Sequence, residues 1–595
     1  MKAKPLGLRY IARQHMNSNA LSRGILFAAV LAALAVGLGG LNTRLPGGGD
    51  NADYIAEAEA LATRGERVHL HLHNTPEATL RPPLFPLLLS VSFKLFGRDM
   101  LALKALLALF APAAVLAAYW ALMEGLSPRA RLALEKQAAV APDPVAMQSI
   151  PFIALWFALS PTLGLCAHDV LSDVPFTCFA LLAFAATGRA ARVETSWRWI
   201  LIASVCLVLA AGLRSAATLV ALACAGGLLL EALLRKPEAG RRRCALGALA
   251  LGAVALGVLA YALLTTGWYF RSAVEAPTGL ASRPWSERLS LIATWYTLFL
   301  PVETIGYEHF APVWVLGLMG LPLALLGCME LLRSGSRTLP AAWLVYQGAL
   351  FFWPHVDARF YLPVLPFFAA LSWIGARRMV ERLAAWHSSL GILSAFGLAL
   401  PAAASCAAYG FGVAKGEIRE TTEVDWIAGV VLLGPILSMA FYRVLVASRR
   451  AADPRPLLVA GAVVLLTLAA LRTGHQNVAL ERVHGPAPDG PGWADLYAAT
   501  QWLKDHAAPD AVVVSAKPSL VWFWSDRRGL PLPTLTHFDE AAQPLTSTCY
   551  AIFDVLEEDR AAARYLAPVL TREKQRWTLR WEQGQTQVWE RASGG

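Results

Sequence analysis

Long apolar runs separated by short polar stretches recur along most of the chain. They lie near 24–42, 99–122, 150–167, 172–188, 198–212, 215–234, 244–265, 309–331, 338–354, 359–376, 388–411, 425–446 and 456–472. Each reads as a helix crossing a bilayer, about thirteen in all. A further apolar stretch, from Pro82 to Phe96, is too short and too broken for an ordinary span and predicts a helix lying at the outer membrane surface. Past residue 472 the pattern changes. Pro486, Pro488, Gly490, Pro491 and Gly492 mark a linker, 493–506 has the spacing of an amphipathic helix, and 511–515 and 549–555 read as buried strands. A helix over 557–570 follows, and 577–581 and 585–590 flank Gly584 as a hairpin. The expected fold is a polytopic α-helical membrane protein with a small C-terminal α/β domain. Its expected divisions are a tail at 1–23, a membrane domain at 24–472 with outer loops 43–98 and 266–308, a linker at 473–492 and the α/β domain at 493–595.

Composition supports this reading. Of 595 residues 56% are hydrophobic and only 16% charged, far less charge than a soluble chain carries. A net charge of +10 could point to nucleic acid, but the excess Lys and Arg are dispersed over alternate short loops. Arg129/Arg131/Lys136, Arg189/Arg192, Arg235 to Arg243, Arg333/Arg337, Arg377/Arg378/Arg382 and Arg449/Arg450/Arg455 all fall on the side of the N-terminus, which the positive-inside rule makes cytoplasmic. An odd number of spans then puts the α/β domain outside. The basic N-terminal stretch and the apolar run Gly24 to Leu41 read as an uncleaved signal anchor. No CxxC pair occurs, which argues against a disulfide framework or a thiolate zinc site. With no phosphate-cradling GKS loop, GxSxG elbow or HExxH pair, ATP-driven transport and serine hydrolysis have no basis in the sequence.

The residues that carry chemistry gather at the outer ends of the spans. Three glycines, Gly47 to Gly49, precede Asp50, which lies where the chain leaves the first span. A carboxylate there can take a proton from an incoming hydroxyl. Asp53, Tyr54, Glu57 and Glu59 follow on a short helix, the two glutamates reading as its solvated face. Arg81 opens the interfacial helix, as a snorkelling anchor or as a cation for a lipid phosphate. Asp169 and Asp173 stand one helical turn apart at the boundary of two spans, where a charged side chain carries a real desolvation cost. Asp173 also fits a helix cap. Arg214, Arg359 and Tyr361 lie at outer span ends, where the two arginines run against the positive-inside trend. A divalent metal would draw on His168, His309 and His355 with Asp169 and Glu308, although no tight ligand spacing supports one.

Taken in order, four pieces of sequence resemble the polyprenyl-phosphate-dependent glycosyltransferases of the GT-C fold, in particular the bacterial aminoarabinose and galacturonic acid transferases and their protein O-mannosyltransferase relatives. They are Asp50 with Tyr54, Arg81 to Leu84 with Leu95 to Gly97, Ser160-Pro161 with Ser172 to Phe176, and the run Arg359 to Pro366. The resemblance covers roughly residues 24–376. Many relatives have Asp-Glu where this chain has Asp50-Asn51, and Tyr where it has Phe360. The resemblance implies a GT-C-like membrane domain and a transfer of sugar from a polyprenyl-phosphate donor to a lipid, glycan or protein acceptor, with inversion. It gives Asp50 the role of general base, Arg81 and Arg359 the donor phosphate, and Asp173, with Asp169, the acceptor or metal side. It also implies a multi-pass protein of a bacterial inner membrane, contacting membrane lipids and no nucleic acid. Two other readings compete. A transporter or flippase would show an inverted repeat with polar residues at mid-membrane, whereas these gather at one surface. A non-catalytic scaffold would not need Asp50, Arg81, Asp173 and Arg359 together.

Overall fold

The computed structural model describes residues 6–45, 49–78, 81–126, 144–192, 196–234, 238–265, 311–351, 358–396, 456–464, 492–532, 548–554 and 562–592, with a few isolated positions between them. The chain divides into two compact units. The first comprises Met1–Gly40, Leu107–His168 and Ser172–Arg482, and the second Leu41–Leu106, Asp169–Leu171 and Val483–Gly595.

The first unit is helical. Among the described residues five helices are long and apolar enough to cross a membrane: Ala20–Gly39, Met100–Leu126, Ala217–Leu234, Gly240–Leu264 and Arg359–Trp386. The expected span at 150–167 is broken. Ser149–Ala158 and Pro161–His168 meet at 44°, and as one bent span they would make six. Pro161 explains the break, since it has no N–H to continue the first helix and is well suited to open the second. Asp173–Ala190 is buried along nearly its whole length, and Ser196–Leu213 packs on it. The expected spans 388–411 and 425–446 lie mostly outside the described residues, as does the loop 266–308.

Small residues bring the helices close. Gly327 of Ala311–Ser334 faces the Leu371 carbonyl of Leu365–Trp386, and Gly375 of the latter faces the Leu323 carbonyl and the Gly327 nitrogen. A Cβ at either position would overlap backbone, so the two helices touch main chain to main chain, the packing that lipid-embedded helices favour. The basic loop residues are partly neutralised by buried or half-buried glutamates. Glu124 lies 3.3 Å from both Arg189 and Arg192. Glu330 pairs with Arg333 at 3.5 Å, with Arg378 at 3.7 Å and with Arg382.

The second unit joins the segment Leu41–Leu106 to the C-terminal segment. That segment forms an acidic helix, Gly49–Arg64, and a short apolar helix, Leu84–Phe96. The C-terminal segment forms a five-stranded sheet, β1 Val512–Ser515, β2 Arg528–Pro531, β3 Tyr550–Phe553, β4 Trp577–Gln583 and β5 Thr586–Arg591, in the order β2-β1-β3-β5-β4. β1 runs parallel to β2 and β3, and the hairpin β4–β5 adds antiparallel to β3. Val514, Ala551, Leu566, Val569 and Trp577 belong to one core cluster there. The helix Trp493–His506 ends where Arg527 donates to the carbonyls of Lys504 and Ala507, satisfying acceptors that the helix end leaves open.

Candidate active site

Asp50, Asp53, Tyr54 and Glu57 occupy positions i, i+3, i+4 and i+7 of the acidic helix, so they share one face. The chain returns to that face at Arg81. Arg81 Nη2 donates to Asp50 Oδ1 at 2.8 Å and to Asp53 Oδ2 at 2.6 Å, while Nη1 lies 3.8 Å from Glu57 Oε1. The guanidinium carbon sits 5.0 Å from the centre of the Tyr54 ring, and that ring meets Phe85 edge-on at 4.7 Å. Arg81 is buried. Burial by itself would weaken its hold on the proton, but the carboxylates of Asp53 and Asp50 outweigh it and keep its pKa well above the ordinary value. Asp50 is the exposed end of the row, its side chain 40% accessible against 20% for Asp53 and 0% for Glu57. A carboxylate that is both anchored and reachable can orient and deprotonate a hydroxyl.

A second layer lies beneath. Glu57 has Arg67 Nη2 at 3.5 Å and His69 Nδ1 at 3.8 Å, with no hydrogen bond to either carboxylate oxygen. Burial raises its pKa to about 7, against the opposing pull of Arg81 and Arg67. The solvated setting expected for Glu57 is therefore corrected: one more turn of the Asp50–Asp53 stripe points it into the protein. Glu59, on another face, receives a two-pronged contact from Arg98, with Nε at 2.8 Å and Nη2 at 2.9 Å. His69 and His71 come from the loop after the helix, their rings 5.3 Å apart, and His71 Nε2 lies 3.4 Å from Asp53 Oδ1. Burial, helped by its neighbour His71, lowers the His69 pKa to about 4. Burial also lowers that of His71, opposed by Asp53 and reinforced by Arg81. The His69 imidazole is therefore neutral near pH 7. Sequence reasoning missed both histidines; a turn closed by the Leu72 N–H donating to the His69 carbonyl at 3.1 Å brings the two rings together, and no spacing rule marks it.

Asp169 also belongs to this unit; it lies on the bend between Pro161–His168 and Asp173–Ala190, so the helix face it was expected to share with Asp173 does not form. It is half-buried and acts on the buried Lys104, whose Nζ donates to Asn42 Oδ1 at 2.7 Å. Lys104 was not singled out in the sequence, although a cation within an apolar run is a sign of function.

The membrane unit holds a separate polar group. Asp173 opens its helix at 2% exposure and pairs through Oδ1 with Arg214, leaving Oδ2 buried without a hydrogen bond. The Arg214 guanidinium lies 5.1 Å from the Phe360 ring centre and that of Arg359 lies 5.6 Å from it. Phe360 and Tyr361 are buried on the 3-10 turn Ala358–Val364, which the buried Tyr346 pins by donating to the Phe360 carbonyl at 2.8 Å. His168 serves helix packing: its Nε2 meets the Val36 carbonyl at 2.7 Å and its ring lies against Gly40. His309 and His355 lie outside the described residues. Among the described residues no group of three or more His, Cys, Asp or Glu side chains is arranged to hold a metal ion.

No protein-family profile and no curated protein matches the chain. Solved structures do. ArnT from Cupriavidus metallidurans bound to undecaprenyl phosphate is similar at a TM-score of 0.55 and 14% identity, over 96% of this chain and 98% of that one. The oligosaccharyltransferase AglB from Archaeoglobus fulgidus, in complex with an inhibitory peptide and a dolichol-phosphate, is similar at 0.52 and 12% identity, over 96% of this chain and 74% of that one. At such identities the likeness is one of fold, and the fold is that of the GT-C glycosyltransferases.

Proposed function

We propose that this protein is an integral-membrane glycosyltransferase, moving a sugar from a polyprenyl-phosphate donor to a lipid, glycan or protein acceptor at the outer face of a bacterial inner membrane. The observation that carries the reading is the anchoring of an accessible carboxylate, Asp50, on a buried arginine it shares with Asp53. The undecaprenyl phosphate and dolichol-phosphate of the two similar structures support the donor class, and the inhibitory peptide of one supports a macromolecular acceptor.

In this reading Asp50 accepts the proton of the acceptor hydroxyl. The hydroxyl oxygen bonds to the anomeric carbon as that carbon's bond to the phosphate oxygen breaks, so the centre inverts. Polyprenyl phosphate leaves with the bonding pair, and a fixed cation stabilises the developing charge. The resemblance in sequence shares the phosphate between Arg81 and Arg359. Nη2 of Arg81 is engaged by Asp50 and Asp53, so we assign Arg81 to aligning the carboxylates; a phosphate role for Arg359 stays what the resemblance implies. The resemblance also implies an acceptor-side role for Asp173, whose Oδ1 pairs with Arg214 and whose Oδ2 is buried.

Mass spectra of lipids and glycans from a deletion strain test the proposal against wild type. A loss of one sugar unit from one envelope component, restored by the gene, is expected. Identical spectra, with sugar-loaded polyprenyl phosphate not accumulating, would contradict it.

A further inference from the structure

The role of the C-terminal α/β module follows from how the segment Leu41–Leu106 is held within the second unit. β2 has β1 on one side. On its other side Gly529 N–H donates to the His71 carbonyl at 2.7 Å and His73 N–H donates to the Gly529 carbonyl at 3.1 Å. Leu72 and Gly529 form a parallel bridge. The loop segment thus covers an edge that would otherwise present unpaired backbone groups. Gly529 is required there, since a Cβ would lie 2.6 Å from Cβ of Pro518. A second tie sits further along the acidic helix. Arg98 forks onto Glu59, reaches Asp526 Oδ1 at 2.9 Å through Nη1, and stacks 4.7 Å from the Trp522 ring centre.

We propose that the module is a positioning device for the acidic helix, setting Asp53 through His71 and the helix end through Arg98. This deepens the proposed function and rests on it. His71, pinned by its own carbonyl to Gly529, directs Nε2 at Asp53 Oδ1 while Arg81 holds Oδ2. Asp53 thus has a neighbour at each oxygen, and the shared Nη2 ties Asp50 Oδ1 to the same guanidinium. The groups facing the His71 ring are Asp53 and Arg81, with His69 beside it. His71 is a positioning residue and touches no substrate.

Three variants of the full-length protein test this. Gly529→Val disturbs the edge from the module side, His71→Ala removes the imidazole, and His71→Asn restores a side-chain donor. Amide hydrogen exchange on residues 49–64 and 69–78 gives a readout independent of activity. Gly529→Val should speed exchange in both segments, and both Gly529→Val and His71→Ala should lower kcat by about tenfold to a hundredfold with the donor KM unchanged, as misplacement of a reacting group does. His71→Asn should recover some of the lost kcat. Faster exchange with kcat unchanged, or unchanged exchange at 49–64 in Gly529→Val, would overturn the proposal. A wild-type protein that transfers no sugar at all would instead refute the transferase reading, while the exchange result would still show whether the module orders the helix.

Discussion

Asp50 and Asp53 share one guanidinium nitrogen, Nη2 of Arg81, at 2.8 and 2.6 Å. Two like charges a helical turn apart would repel; the buried cation between them turns the pair into one ordered unit. Removing that cation with Arg81→Ala leaves Asp53 and Glu57 without their main counter-charge. Breaking a buried pair from one side costs about 3–5 kcal/mol. We therefore expect a clear fall in Tm together with loss of sugar transfer. Arg81→Lys should keep some of the stability and little of the activity, because an ammonium cannot reproduce the fixed fork. Thermal melts in detergent beside transfer assays check both.

Glu57 and His69 make stability depend on pH in opposite directions. The Glu57 pKa is raised in the folded state to about 7, so its stabilising contribution is full below the ordinary value of 4.5 and is lost as pH rises towards 7. Glu57→Gln removes that loss and should raise Tm relative to wild type at pH 8, with the gain shrinking by pH 5. The His69 pKa is depressed to about 4, so its contribution is full above 6.5 and is lost as pH falls towards 4. His69→Gln should therefore flatten the acid side of the same profile. Melts from pH 4 to 8 measure both, and identical pH slopes for wild type and Glu57→Gln would count against burial of that carboxyl.

The membrane unit offers a test of packing free of the site. Gly375→Val sets a side chain against the Leu323 carbonyl and must push the two helices away from each other, whereas a Cβ at Gly252 meets nothing within 4 Å. Gly375→Val should lower both Tm and yield, and Gly252→Ala should be neutral or slightly stabilising, since alanine is the better helix former.

Much of this was legible in the sequence. Hydropathy runs marked the helices Ala217–Leu234 and Glu238–Thr265, and Gly584 with its flanking strands marked the β4–β5 hairpin. The helix Pro518–Ser525 and strand β2 were not found. β2 reads Arg-Gly-Leu-Pro, poor strand formers, and it holds its shape through pairing with β1 and with the 71–73 segment rather than through propensity. Spacing alone puts Asp50, Asp53 and Tyr54 on one face. The burial of Glu57 beneath them needed Arg67, His69 and Arg81, which only the fold brings in. His71 was missed for the same reason: its partners, Asp53 and Gly529, are set by tertiary contact.

Sugar transfer by Asp50→Asn tests the central claim most directly. The amide oxygen of asparagine can still accept from Arg81, so fold and melting temperature should stay close to wild type, while the group that takes the proton is gone. In proteoliposomes loaded with the sugar-bearing polyprenyl phosphate identified from the deletion strain, turnover should fall by about a hundredfold or more, the scale of a lost general base, with donor binding retained. Turnover equal to wild type in a well-folded Asp50→Asn protein would contradict the account.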